Sequence, residues 1–200
     1  MHAKPCGYSP GFQRAIHRTR GPPLLVADRR ICYTFEEKQR RAGVVHIIAV
    51  GKLKEAHFRQ AAMEYEKRLG RFTALKVTEL SDEREPERPS ALLEEKARQA
   101  EGERILKQIR PRDRVVALCV EGSQEDSLAF SRRVKRLHEA PEDAVFVIGG
   151  SLGLSQAVLA RADERLSLSR LTFPHQVARV LLMEQLYRAY KIMANERYHK

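Results

Sequence analysis

Residues 44–50, VVHIIAV, form a near-continuous apolar run closed by Gly51. A run this short, ended by a turn residue, predicts a strand buried on both faces. Such a strand needs helices above and below it, which confines the chain to the α/β class with a mostly parallel sheet flanked by helices. The pattern that follows is of the same kind. Phe58, Ala61 or Ala62, Tyr65 and Leu69 recur at helical spacing over residues 55–69, with Gly70 placed as the C-terminal cap. Leu75, Val77 and the run to Leu80 predict a second strand. After a charged, Pro-containing loop over residues 81–89, Ser90 is placed to cap a helix carrying Leu93, Ala97, Ala100, Ile105 and Ile109. Apolar strands are expected over residues 114–120 and 144–148. Between them lies a helix capped by Ser127, with Phe130, Val134 and Leu137 on one face. Repeated strand and helix place ligand chemistry at the carboxyl ends of the strands.

The chain upstream of this pattern is different. Residues 1–43 contain Pro5, Pro10, Pro22 and Pro23 and only one short apolar stretch, residues 24–27, too short for the roughly 7 to 15 residues of a signal-peptide apolar region. They read as a flexible basic extension, with the domain over residues 44–200. Deleting the extension is expected to leave folding and activity intact, which melting temperature and turnover of the truncated protein would test. The extension holds nine Lys or Arg against three Asp or Glu, a surplus of +6 out of the chain's +11, so the other 157 residues are only mildly basic at +5. Such a surplus fits contact with RNA phosphates or simply a solvated basic surface. No apolar run approaches the roughly 18 to 20 residues of a membrane span, so no membrane partner is expected. Cys6, Cys32 and Cys119 are odd in number and lack CxxC spacing, which suggests neither a disulfide framework nor a metal site and points to a reducing, cytoplasmic setting.

Two segments lie where chemistry is expected. Residues 147–154, VIGGSLGL, make a glycine-rich turn leading into a helix near Ser155, and glycine lets backbone approach a ligand closely. The spacing matches neither the dinucleotide nor the phosphate-loop fingerprint. Residues 166–175, LSLSRLTFPH, alternate small hydroxyl and apolar residues before Pro174 and a helix starting near Gln176. That last helix, over about residues 176–193, is apolar on more than one stripe, which implies burial inside the fold or against a partner chain. Either loop taken alone is equally an ordinary connection, and the terminal YHK an ordinary tail.

Taken together, the segments IIAVGKLK at 47–54, EYEKRL at 64–69, FVIGGS at 146–151, SLSRLTFPHQ at 167–176, EQLYRA at 184–189 and the terminal Tyr198-His199-Lys200 resemble the ribosomal RNA large subunit methyltransferase H family. That family is of the SPOUT class of trefoil-knotted methyltransferases. The resemblance covers residues 44–200 and leaves residues 1–43 outside. It implies a C-terminal trefoil knot, against the general rule that chains avoid threading. It also implies a homodimer that methylates N3 of a pseudouridine in 23S rRNA with S-adenosylmethionine, and a donor pocket built from three loops. By matching position, it puts Leu118, Gly149, Leu168, Ser169, Arg170, Leu171, Thr172 and Phe173 around that donor. One departure stands out. Relatives often carry an acidic residue after the leucine and a Gly-Lys pair further on, where this chain has Cys119 and Gly122-Ser123.

The imide N3 is a poor nucleophile while protonated, so a base or an anion-stabilising cation should accelerate transfer. His199 is the candidate base, Tyr198 and His199 are also candidates to stand against RNA, and Arg179 or Arg188 to stabilise charge or hold phosphate. His175, beside Pro174, is expected to order its loop. A mildly basic domain suits a large preformed partner, the assembled 70S ribosome, better than naked RNA. Two alternatives belong to other classes. A non-catalytic ribosome-binding protein of the same fold would bind no S-adenosylmethionine, and a small-molecule α/β enzyme would turn over without RNA.

Overall fold

A computed structural model of the chain describes residues 43–84 and 90–196. Its elements alternate as the apolar runs require: β1 (Val45–Val50), α1 (Ala56–Leu69), β2 (Leu75–Leu80), α2 (Ala91–Leu106), β3 (Arg114–Ser123), α3 (Ser127–Glu139), β4 (Ala144–Ile148), α4 (Gln156–Arg161), β5 (Glu164–Leu166) and α5 (His175–Met193). The strands form one five-stranded sheet in the order β2-β1-β4-β3-β5, every pairing parallel. This is the α/β fold with a mostly parallel sheet expected from the sequence.

Every residue of β1 and of β4 is buried. Alternate residues point to opposite faces, so each central strand feeds two cores. Val45, Ile47, Ala49, Phe146 and Ile148 pack with α1, α3 and α5 through Leu69, Phe130, Val134, Leu182 and Leu186. Ile48, Val50, Val145 and Val147 pack with Ile105 of α2 and Val158 of α4 in a smaller second cluster. Ile47 and Ile48 are both fully buried on opposite sides, and each such side chain contributes about 2 kcal/mol. The first core also carries an aromatic group in which Phe72 stacks on Tyr190 with ring centres 5.8 Å apart.

Helix ends follow local chemistry, with three departures from the sequence reading. Ser90 Oγ accepts from the Leu93 amide at 3.3 Å, as its position before α2 predicts. The cap of α3 is Asp126 rather than Ser127. The Asp126 carboxylate accepts from the Ala129 amide at 2.6 Å, and Ser127 is the first helical residue. Gly70 does end α1, but with φ −57° it stays in right-handed conformation, so the end is not the left-handed glycine motif. Finally, α2 stops at Leu106, and Ile109 packs against the second cluster from beyond the helix. β3 also runs past residue 120, through an irregularity after Leu118, to pair Ser123 with Leu166. The expectations for residues 1–42, and for Tyr198 and His199, fall outside the described residues. Among the described residues, no helix is long and apolar enough to cross a membrane.

Candidate active site

Three adjacent strands, β4-β3-β5, end on the same side of the sheet, and the segments that leave them enclose a cavity of about 690 Å³. That is within the roughly 300 to 1,000 Å³ common for small-molecule sites. One wall is the exit of β3, from Leu118 to Glu121. Another is the glycine-rich turn after β4, from Gly149 to Leu154, and a third is the loop after β5, including Ser167, Leu168, Ser169, Leu171, Thr172 and Phe173. Glu95 and Arg98 of α2, Gln156 and Leu159 of α4, Arg165 of β5, and His175 and Ala178 of α5 also line it.

Each wall is held by its own backbone chemistry. In the glycine-rich turn the Gly153 amide donates to the Gly150 carbonyl at 3.2 Å, and Ser155 then caps α4. In the β5 loop the alternating hydroxyls are its skeleton. Ser167 Oγ donates to the Ser169 carbonyl at 2.8 Å, and Ser169 Oγ accepts from the Leu171 amide at 3.0 Å. That leaves the intervening Leu168 turned to the cavity. The β3 exit is tied to the β5 loop where the Ser167 amide donates to the Ser123 carbonyl at 2.9 Å.

Ser123, where the resemblance leads to the expectation of a lysine, has a side chain that acts inside the fold. Its hydroxyl donates to the Arg165 carbonyl at 3.0 Å and accepts from Arg133 Nη2 at 3.1 Å. Arg133 is buried and also grips Glu125 at 2.6 Å and Glu164 of β5. One guanidinium thereby fixes the end of β3, the start of β5 and the approach to α3. Cys119, the second departure, lines the cavity, and burial followed by the nearby Glu121 pushes its thiol up from the ordinary range.

Of the residues the resemblance placed around a donor, Leu118, Gly149, Leu168, Ser169, Leu171, Thr172 and Phe173 all line this one cavity. Arg170 does not line it. Arg179 lies elsewhere: it is 5% exposed and pairs with Glu79 at the end of β2 at 2.6 Å. That ion pair uses Nη1 and anchors α5 to β2, while Nε is buried without a hydrogen-bond partner among the described residues and the positive charge also acts on His175 at the cavity edge. Arg188 pairs with Glu184 one turn away at 2.7 Å.

Several wall residues went unread in the sequence. Glu121 follows the apolar run expected over residues 114–120, where the rule of strand carboxyl ends points, but the run itself gave no sign of its continuation. Glu95 and Arg98 form an ion pair three residues apart at 2.8 Å, which in sequence looks like any surface pair. His175 is more than a loop-ordering residue. The residue lines the cavity, its Nε2 is buried without a hydrogen-bond partner among the described residues, and burial holds its imidazole below the ordinary range.

The family model described as "Predicted SPOUT methyltransferase" matches residues 44–199. Among solved structures, a probable methylase family protein from Haemophilus influenzae Rd KW20 is 16% identical with a TM-score of 0.43, over 78% of this chain and 69% of that one. A protein assigned to the RNA methyltransferases of the TrmH family from Porphyromonas gingivalis is 12% identical with a TM-score of 0.36, over 72% of this chain and 59% of that one.

Proposed function

The chain belongs to the SPOUT methyltransferase family, and from that premise we propose that it transfers a methyl group from S-adenosylmethionine to N3 of a pseudouridine in 23S rRNA. It does so in the cytoplasm, as a homodimer with a knotted C-terminal part, on the assembled 70S ribosome. The finer placement, in the ribosomal RNA large subunit methyltransferase H family, rests on the motifs from residues 47–54 to the terminal YHK. One observation carries the donor assignment: the FVIGGS turn, the SLSRLTFPHQ loop and the β3 exit at Leu118, far apart in sequence, meet at one cavity.

The residues present suit this donor. Gly153, at φ +81°, has nothing within 4 Å of where a Cβ would stand, so its backbone borders open space. Leu118, Leu154, Leu168 and Phe173 supply apolar walls for a purine ring, while Ser169 and Thr172 supply hydroxyls. Glu121 suits the donor's cationic groups, and Arg98 and Arg165 suit its carboxylate. When bound, S-adenosylmethionine supplies an activated methyl group on a sulfonium. The protein's own tasks are then to exclude water, hold the acceptor nitrogen in line with that carbon at roughly 3 to 3.5 Å, and take up the imide proton. His199 is the base in this reading, and Tyr198 stands against the RNA.

The second copy has a surface suited to it at the cavity mouth, where Leu171 is 71% exposed and Val120 and Phe173 are also open to solvent. Apolar side chains gathered beside a site mark a surface that a partner covers. Sedimentation of Leu171→Asp tests this, a shift toward monomer being the expected result.

The deciding experiment pairs calorimetry with mass spectrometry. S-adenosylmethionine should bind the purified protein, and rRNA from a deletion strain should lack one methyl group on a 23S pseudouridine that returns when the protein is restored. No heat of binding would remove the donor. An unchanged rRNA mass would remove the acceptor.

A further inference from the structure

Behind the glycine-rich wall lies a carboxyl group that the proposed chemistry does not use. Glu101 of α2 is 5% exposed, as buried as a core residue, in a helix whose other polar residues are all at least partly exposed. Its Oε1 accepts from the Glu83 amide at 2.9 Å, in the segment that leaves β2. Its Oε2 is fully buried and has no hydrogen-bond partner among the described residues. Both oxygens press on Gly150, where a Cβ would stand 2.9 Å from Oε2, 3.1 Å from Oε1 and 3.2 Å from the side chain of Val50 at the end of β1. The carboxyl is therefore packed between two pieces of backbone: the segment after β2 on one side, and the cavity wall on the other.

A buried carboxyl oxygen without a partner is costly, by roughly 1 to 3 kcal/mol, and it is tolerated where the surroundings fix its position. The surroundings here do. One residue on, Gly102 lets α2 close onto Ser155, where a Cβ would meet Ser155 Oγ, so the helix packs directly against the turn leading into α4. One turn on, Arg104 reaches Glu83 at 2.6 Å and holds that segment against α2. The charged groups acting on Glu101 are Glu83 and Asp82 from the segment after β2 and Arg104 from its own helix, and burial, the largest influence, favours the neutral carboxyl. Val50 and Gly150, on the remaining sides, carry no charge.

We propose that Glu101 is a positioning residue for the donor site: its carboxyl joins the segment after β2 to the back of Gly150, and so sets the shape of the glycine-rich wall. The inference rests on the reading of the cavity as a donor site. The wall borders the cavity on the face opposite Glu101, so displacing the carboxyl changes donor binding without its ever touching the donor.

Two conservative variants of the full-length protein test it. Glu101→Gln keeps the volume and one acceptor and cannot ionise, while Glu101→Asp keeps the acid but, one methylene shorter, cannot serve both contacts. Calorimetry with S-adenosylmethionine should give Glu101→Gln within about 3-fold of the unaltered protein and Glu101→Asp at least about 10-fold weaker, a loss of about 1.4 kcal/mol. The loss should fall on KM for the donor more than on kcat. Amide hydrogen exchange without donor should speed up in Glu101→Asp both at Glu83 and over residues 150–153. Exchange faster at Glu83 alone, donor binding by Glu101→Asp equal to that of the unaltered protein, or Glu101→Gln as weak as Glu101→Asp would each overturn the proposal. If the unaltered protein bound no S-adenosylmethionine, the donor assignment would fall, and the exchange at residues 150–153 would still decide whether Glu101 holds the wall.

Discussion

The imidazole of His175 rests directly on Gly51, so closely that a Cβ on that glycine would lie 2.6 Å from Nε2. Gly51 ends β1 at φ +88°, and His175 opens α5 at the edge of the cavity. The turn after β1 and the first turn of α5 are thus one packing unit, reinforced where the Lys54 amide donates to Gln176 Oε1 at 2.9 Å. Gly51→Ala should therefore fail twice. The left-handed backbone costs about 1 to 2 kcal/mol for a residue with a Cβ, and the ring must move away. We expect a loss of roughly 2 to 4 kcal/mol in urea unfolding together with weaker donor binding. A stability within 0.5 kcal/mol of the unaltered protein, on the scale of a neutral surface change, would show that the ring yields freely.

Arg133 is buried between Glu125, Glu164 and Ser123. Arg133→Met keeps the stem but takes from Glu125 and Glu164 the cation they share, leaving Glu164 only its longer pair with Arg136 at 3.6 Å. Breaking such a pair costs about 3 kcal/mol, and added salt should recover little of it because the group is out of solvent. Guanidinium is itself a salt, so unfolding is best followed in urea at low and high ionic strength. A small loss that vanishes in salt would mean the pairing is a surface one.

His46, the second residue of β1, shares a 2.9 Å hydrogen bond with Thr78, and burial, then Lys76, holds its imidazole below the ordinary value of 6.5. Folding therefore favours its neutral form. Between that lowered value and 6.5 the unfolded chain binds more protons, so stability falls as pH drops below about 6.5 and is fully present above it. Half-buried His138 and His175 act in the same sense. Melting temperature should decline from pH 7.5 to 5.5, and His46→Gln should shallow that decline. An equal slope in the variant would assign the pH dependence to the other histidines.

Phe173 lines the cavity, whereas Arg170, three residues earlier in the same loop, does not. Phe173→Ala should weaken donor binding about tenfold, the loss of about 1.4 kcal/mol of apolar contact. Arg170→Ala should leave it within about 2-fold, under 0.5 kcal/mol. Calorimetry on both variants checks the pair, and a reversed order would mean that the loop turns over when the donor binds.

His199→Ala should lower single-turnover methylation at saturating substrate by about 10² or more, the size of a general-base contribution. An unchanged rate constant would remove the imidazole from the chemistry.

Where the sequence predicted structure well, the cause was local. The run from Val45 to Val50 reads as a buried strand because both of its faces are apolar, and Ser90 reads as a cap because its hydroxyl reaches only three residues. Where it misled, the cause was distant. Arg179 looked like a spare cation until Glu79 stood beside it from exactly 100 positions away in the chain. β3 continues to Ser123 because Leu166 pairs with it, and residues 121–123 carry no apolar signal. Asp126 displaced Ser127 as cap because both are suitable residues, and only the backbone chose between them. The cavity's loops were legible as motifs. Glu95, Arg98 and Glu101 were not, since their importance arises only when α2 crosses the glycine-rich turn.

The two faces of the sheet are unequally protected. Among the described residues, three helices, two of them with 14 and 19 residues, cover one side, while the other has α2 and the six-residue α4 over a cluster of seven buried side chains. Thinner cover means cheaper local opening, and the glycine-rich turn stands on that side. On gentle warming the molecule should therefore lose its grip on a small ligand several degrees before circular dichroism registers any melting of the sheet.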